Sequence, residues 1–237
     1  MKTLHLFLSL LMLSILTVSC ENENIIGQNN NSLKKGQIEI KVYPNDDNKV
    51  SFYVMAKKIT IDWGDGSVDE LTPNGVWKEF IHEYVNQNFQ TILISTEEAT
   101  VFYDRKGVYN ELRFGDCPDL EKIYCNNQKL TVLDIKKAVS LTSLECYSNQ
   151  LTSLDLSKCT ALTGLGCDDN QLTSLDLSKC LSLTKIDCRS NQLTDVALNT
   201  LFESLPQGYG KIYFYDNPGS WSCDQSIATN KGWDIYN

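Results

Sequence analysis

A step of 21 residues recurs through the second half of the chain and constrains its fold more than any other feature. Cysteines keep this step at Cys125, Cys146, Cys167 and Cys188. Asparagines keep it at Asn149, Asn170 and Asn191. A unit this short cannot bury its own leucines, so neighbouring units must stack and bury them against one another. The repeat therefore predicts an elongated stack of short strands.

Each position in the unit has a predicted structural role. The unit reads Leu-x-x-Leu-x-Cys-x-x-Asn-x-Leu-Thr-x-Leu-Asp-Leu-Ser-x-Cys-x-x, with two strand-like halves. Alternate residues of a strand point to the same side, so the Leu and Cys of Leu-x-Cys both face the core. The Cys then acts as a small buried hydrophobe. The Asn amide is expected to satisfy backbone groups of neighbouring units, which makes the cysteines and asparagines a structural ladder.

The repeat resembles the leucine-rich repeat, in a short bacterial variant, over residues 108–203. The resemblance implies a binding module, and its layout is similar to that of internalin-like bacterial surface proteins. The outward positions supply a candidate binding surface: Tyr124, Glu145, Tyr147, Asp168, Asp187 and Arg189. Tyr and Arg are common energetic anchors of protein interfaces, so this strip is predicted to recognise a protein.

Other chemistry in the repeats stays open. Close C-x-x-C pairs, which a zinc site favours, do not occur, and the ladder geometry favours packed thiols. Disulfides that use Cys223 or the ladder cysteines remain an alternative in an exported protein. The second half of the unit places Asp134, Asp155 and Asp176 in one row. These carboxylates either attract a cation or are solvated and bonded to nearby hydroxyl and backbone groups.

The segment before the repeats alternates apolar and polar residues with the period of half-buried strands. It contains the turn Asp62-Trp63-Gly64-Asp65-Gly66 and, later, His82-Glu83-Tyr84. These motifs resemble a polycystic-kidney-disease (PKD)-type domain over residues 37–100, which implies an immunoglobulin-like β-sandwich. His82 has no spaced partner for catalysis or metal binding. Asp65 is therefore interpreted as bonding nearby backbone, and His82 and Tyr84 as structural corner residues, with a metal or acid/base site of Asp62, Asp65 and His82 as the alternative.

The N-terminus predicts export and lipidation. A nearly uninterrupted apolar run from Leu4 to Val18 ends at Ser19-Cys20, which fits a secretory signal and resembles the lipobox of lipoproteins. The resemblance implies lipidation of Cys20, and thus a membrane partner through the anchor. Glu21 and Glu23 resemble surface-export signals of Bacteroidetes-type lipoproteins, which implies an outer-membrane anchor, on the cell surface or alternatively on the periplasmic face.

Together these observations predict a mainly β chain. A PKD-like β-sandwich is followed by a short leucine-rich-repeat solenoid with a helical and β C-terminal cap. The predicted boundaries are 1–19 for the signal peptide, 20–36 for a polar tether, 37–105 for the β domain, 106–203 for the repeats and 204–237 for the cap.

The net charge and the residue composition disfavour several classes of function. The formal net charge of −9 repels phosphate backbones, so nucleic acid is not an expected partner. Two histidines and the absence of a nucleophile or phosphate-loop motif favour no enzyme activity, no cofactor and no metal. The sequence predicts protein recognition or adhesion at the cell surface. The alternative is a glycan-binding accessory lipoprotein of a nutrient-uptake system, for which Trp77, Trp221 and Trp233 are candidate contacts.

Overall fold

The computed structural model describes residues 33–43, 48–86, 88–104 and 109–236. The predicted signal peptide, the lipidation site Cys20 and most of the tether lie outside these residues. Within them the chain is mainly β with two short helices, so the mainly β prediction is confirmed. No helix among the described residues is long and apolar enough to cross a bilayer.

Sheet A is built mostly from the first half of the chain, in the order β10-β8-β1-β6-β3-β4. Its pairings are antiparallel except for β8 with β10. Its strands are β1 (Gln37–Val42), β3 (Lys58–Asp62), β4 (Val68–Leu71), β6 (Gln90–Glu97), β8 (Tyr109–Phe114) and β10 (Val132–Asp134).

Sheet B runs in the order β15-β14-β13-β12-β11-β9-β7-β2-β5. From β7 to β15 all neighbours are parallel, whereas β2 pairs antiparallel with β7 and β5. Its strands are β2 (Lys49–Met55), β5 (Trp77–Glu83), β7 (Val101–Asp104), β9 (Lys122–Tyr124), β11 (Ser143–Glu145), β12 (Gly164–Gly166), β13 (Lys185–Asp187), β14 (Gly210–Tyr213) and β15 (Trp233–Tyr236).

The repeats enter sheet B through their first half. Leu144 lies in register with Ile123 on one side and Leu165 on the other, so equivalent positions of successive repeats face each other. These side chains are buried in one continuous hydrophobic core. The second half differs from the expectation: β10 is a strand, but the matching segments at Leu154 and Leu175 are not. There the Asp of each unit accepts a hydrogen bond from the backbone N–H two residues later, as Asp134 of β10 also does.

Sheet B also extends beyond the repeats at both ends. On one side β9 pairs with β7, and on the other β13 pairs with β14. Between β13 and β14 the chain forms α1 (Asp195–Ser204), capped by the Thr194 side chain, and a short α2 (Ser226–Thr229) precedes β15. Sheet B therefore carries one uninterrupted surface from β5 to β15.

Candidate recognition surface

The six predicted surface residues lie on one face of sheet B, in two adjacent rows. The first row follows strand register through Tyr124, Glu145, Gly166 and Asp187. The second row, just past the strand ends, holds Tyr147, Asp168 and Arg189, whose backbone carbonyls accept bonds from the preceding repeat. The arrangement follows from the period, because a shared step brings equivalent outward residues side by side.

Glu145 and Asp168 form the acidic centre of this surface. Gly166 has no side chain, and a Cβ there would overlap Glu145 Oε2, so the Glu145 side chain lies across the glycine. Burial raises the pKa of Glu145, although Lys185 opposes the shift. Burial, followed by the charge of Asp187, also raises the pKa of Asp168. Both carboxylates are thus partly desolvated, which strengthens any interaction with a cationic or hydrogen-bond-donating ligand.

The Arg189 side chain is fixed by contacts with neighbouring side chains of the same surface. Its Nε lies 2.9 Å from Asp187 Oδ1 and its Nη2 lies 2.7 Å from Oδ2. The guanidinium also lies 5.5 Å from the ring centroid of Tyr213. Hydrogen bonding to Asp187 raises the pKa of Arg189. This predicted anchor is therefore pre-ordered, which reduces the entropy lost when it contacts a ligand.

An aromatic cluster continues the first row beyond Tyr124, in the segment that the sequence assigns to another domain. Tyr103 is in register with Tyr124, and Tyr53 is in register with Tyr103. With Trp77 these residues line a cleft of about 450 Å³. Trp77 is half exposed and Trp221 almost fully exposed, whereas Trp233 is buried and donates its indole N–H to Pro206.

The predicted ladder residues lie inside the stack. All four ladder cysteines are fully buried, and burial raises the pKa of each thiol. The described cysteines, including the half-buried Cys223, are free thiols. Asn149, Asn170 and Asn191 are buried, and each donates to three backbone carbonyls and accepts one backbone N–H.

The row of Asp134, Asp155 and Asp176 has structural partners. Each carboxylate accepts the backbone N–H two residues later. Lys136 also pairs with Asp155 at 3.6 Å. Within the described residues, no group of three or more His, Cys, Asp or Glu side chains is arranged to hold a metal ion.

His82 stabilises the turn that contains Asp65 through a close polar contact and a ring contact. His82 Nε2 lies 2.7 Å from Asp65 Oδ2, and its ring stacks on Trp63 at 4.6 Å. Asp65 Oδ1 accepts bonds from both the hydroxyl and the backbone N–H of Ser67. Tyr84 donates its hydroxyl to the Trp63 carbonyl. These bonds join the Asp, His and Tyr side chains of the motif in one structural corner.

This corner predicts a pH-dependent contribution to stability. The Ser67 hydroxyl, then His82, lowers the pKa of Asp65 to about 2. A carboxyl whose folded pKa is depressed stabilises the fold above its unfolded value and loses that contribution as pH falls towards the folded value. Asp65→Asn is therefore expected to lower the free energy of unfolding by ~1 kcal/mol near neutral pH, and by much less near about pH 2. Urea unfolding across this range, with the exposed Asp224→Asn as control, tests the prediction. A loss that is constant with pH would contradict it.

Comparison with solved structures gives a loose likeness to a bacterial protein. No family model and no curated protein matches the chain. Among solved structures, the functional domain of InlJ from Listeria monocytogenes, which includes a cysteine ladder, is 22% identical with a TM-score of 0.35. The match covers 53% of this chain and 38% of that chain. A likeness at this level decides neither the fold family nor the function.

Proposed function

We propose that this chain is a surface-exposed recognition module that binds a protein through the outward face of sheet B, without catalysis. The observation that carries the proposal is the continuity of this face, on which Tyr124, Glu145, Tyr147, Asp168, Asp187 and Arg189 lie side by side. Interfaces combine aromatic and arginine anchors with a polar surround, and this face offers both.

The proposal includes the organisation inferred from sequence. The repeats are a leucine-rich-repeat solenoid, the first segment is a PKD-like domain, and lipidation of Cys20 anchors the protein in the outer membrane with the module at the cell surface. Residues 37–105, 106–203 and 204–237 are the β domain, repeats and cap of this scheme. The pairing of β7 with β9 supports a rigid join between the first two parts.

The test is a protein and glycan binding array probed with the full-length chain and with Tyr147→Ala/Asp168→Ala. Both side chains are outward and partly exposed, so the double variant is expected to fold and to lose a protein hit at least about tenfold, as truncation of interface anchors does. Lys129→Ala/Gln150→Ala, exposed positions off this face, is the control. A protein hit with equal affinity for all three forms would overturn the assignment of the face.

The glycan alternative has its own observation, the almost fully exposed indole of Trp221, 6.0 Å from Tyr215. A glycan hit that Tyr147→Ala/Asp168→Ala retains and Trp221→Ala loses would favour it. In that case the binding site belongs to the C-terminal cap.

A further inference from the structure

Four aromatic side chains at one end of sheet B form an arrangement that we call the aromatic box: Tyr53, Trp77, Tyr103 and Tyr124. Trp77 and Tyr103 lie on β5 and β7, which flank β2 and do not pair with each other. Their rings nevertheless approach to 6.1 Å, so they lean towards each other across β2. Tyr124 adds a fourth ring, 5.6 Å from Tyr103. The four side chains together line the cleft of about 450 Å³.

Three of these rings are nearly perpendicular to one another. The planes of Tyr53, Trp77 and Tyr103 cross at 74°, 72° and 87°, and their centroids are 6.5, 6.0 and 6.1 Å apart. Perpendicular rings that face a common point have centroid separations equal to their distance from that point times the square root of two. A cation that faced all three rings at these separations would lie about 4.4 Å from each centroid, within the range of cation–π contacts.

We propose that the aromatic box binds an organic cation of the trimethylammonium class. A positive charge at the common point would meet the electron-rich faces of several rings, which is how quaternary ammonium groups are recognised. The same face of the sheet already holds cations on its rings at the other end. Arg189 lies over Tyr213, and Lys211 lies 5.3 Å from the ring centroid of Tyr236.

The lining of the cleft favours a quaternary cation over an ammonium or a guanidinium. Among the described residues, the lining consists of four aromatic side chains and no carboxylate. A cation with N–H groups would give up water there without gaining ionised acceptors, whereas a trimethylammonium group has no N–H to satisfy. The surrounding charge also fits. Glu79 lies across from Tyr53 and Glu145 across from Tyr124, both outside the lining of the cleft, against Lys122 on β9, so these described neighbours favour a cation of any kind while the lining selects among cations.

The inference goes beyond the proposed function, because it concerns a small cation and a different part of the face. Tyr124 belongs to both surfaces, so the tests separate them through other residues. Trp77 serves the box alone, and Tyr147 serves the protein-recognition face alone. Tyr147→Ala is therefore expected to leave cation binding unchanged.

The experiment titrates the isotope-labelled full-length chain with choline and follows the Trp77 indole N–H resonance, assigned with Trp77→Phe. The neutral isostere of choline, with carbon in place of nitrogen, is the ligand control. Choline is expected to bind saturably and at least about fivefold more tightly than the isostere, the factor that ~1 kcal/mol of cation–π attraction gives. Equal affinity for choline and its isostere would overturn the proposal, since it would reduce the cleft to an apolar pocket.

Variants test whether the rings themselves hold the cation. Trp77→Leu is expected to weaken choline binding about tenfold, with binding followed by calorimetry, and Trp77→Phe less, because it keeps a ring. Trp221→Leu, which removes another exposed indole, is the matched control and should bind as the parent does. Choline affinity unchanged in both Trp77 variants would also overturn the proposal, as would displacement of choline by a neutral oligosaccharide at equal concentration.

A last experiment distinguishes the two kinds of molecule that could carry the trimethylammonium group, a membrane lipid and a soluble compound. Phosphatidylcholine vesicles that compete with choline would place the trimethylammonium group on a membrane lipid. Failure of the vesicles to compete, with free choline still bound, would place it on a soluble molecule. Both results support the box and differ only in what carries the cation.

Discussion

Replacement of Asn191 by Ala is expected to lower the free energy of unfolding by about 2–4 kcal/mol, because it leaves the buried Leu172 N–H without a partner and removes one of the two hydrogen bonds that each of three backbone carbonyls accepts. Asn191 is 1% exposed. Its Nδ2 donates to the carbonyls of Cys167, Cys188 and Arg189 at 3.0–3.2 Å. Its Oδ1 accepts the Leu172 N–H at 2.9 Å. One side chain therefore links two consecutive repeats.

Urea unfolding followed by circular dichroism measures this loss. Gln192→Ala, at the exposed neighbouring position, is the control and should change stability by less than about 0.5 kcal/mol. Asn191→Asp should cost at least as much as Asn191→Ala, because it aims a buried carboxylate at carbonyl oxygens. An Asn191→Ala protein as stable as the control would mean that water replaces the amide, and the ladder would then contribute little.

The ladder shows what a sequence period can and cannot predict. The period locates the asparagines whose spacing it defines, and their contacts repeat from rung to rung. It does not find Asn217, which accepts the Leu193 N–H and donates to the Cys188 and Phe214 carbonyls as the last rung. The insertion that contains α1 separates it from Asn191 and breaks the step. The detectable signal is local: Ile212-x-Phe214-x-x-Asn217 matches the repeat with Phe in the Cys position.

The aromatic box could not be predicted from the sequence, for a different reason. Tyr53, Trp77 and Tyr103 lie on strands whose alternation is visible, but alternation does not say which strands become neighbours. Tyr124 joins them because β7 pairs in parallel with β9. This pairing joins the first segment to the repeats. A pairing between distant segments depends on how the whole core packs, which local patterns do not encode.

The second half of the repeat shows the opposite error: its alternating pattern predicts strands at positions where the chain does not form them. Leu154 and Leu156 alternate with Asp155 as a strand would, and both leucines are buried. Asp155 accepts the Ser157 N–H, but Asp134 of β10 accepts the Lys136 N–H in the same way, so this bond does not distinguish the two segments. What differs is the neighbour, because β10 pairs with β8, whereas at Leu154 and Leu156 the leucines are buried as the pattern predicts although the segment is not a strand.

Phe214→Ala is expected to cost about 3–5 kcal/mol and to loosen the C-terminal end before the rest of the chain. Phe214 is fully buried where the repeat otherwise places a cysteine. Its ring packs edge-on against Phe202 of α1 at 5.1 Å and stacks on Tyr215 at 4.8 Å. Truncation leaves a cavity between β14 and α1 that cannot collapse without moving the helix.

Hydrogen exchange locates this loss. Stacked units contact only their neighbours, so damage at one end opens that end while distant units stay closed. Amides of β14 and β15 should exchange much faster in Phe214→Ala, whereas those of β11 should keep their protection. Phe214→Leu retains most of the volume and should show a smaller effect, and Tyr209→Ala, at a 92% exposed position, should show none. Equal loss of protection in β11 and β14 would mean that the whole stack opens as one unit. The continuous hydrophobic core would then make the whole stack unfold together, whereas the repeat implies that each unit depends only on its neighbours.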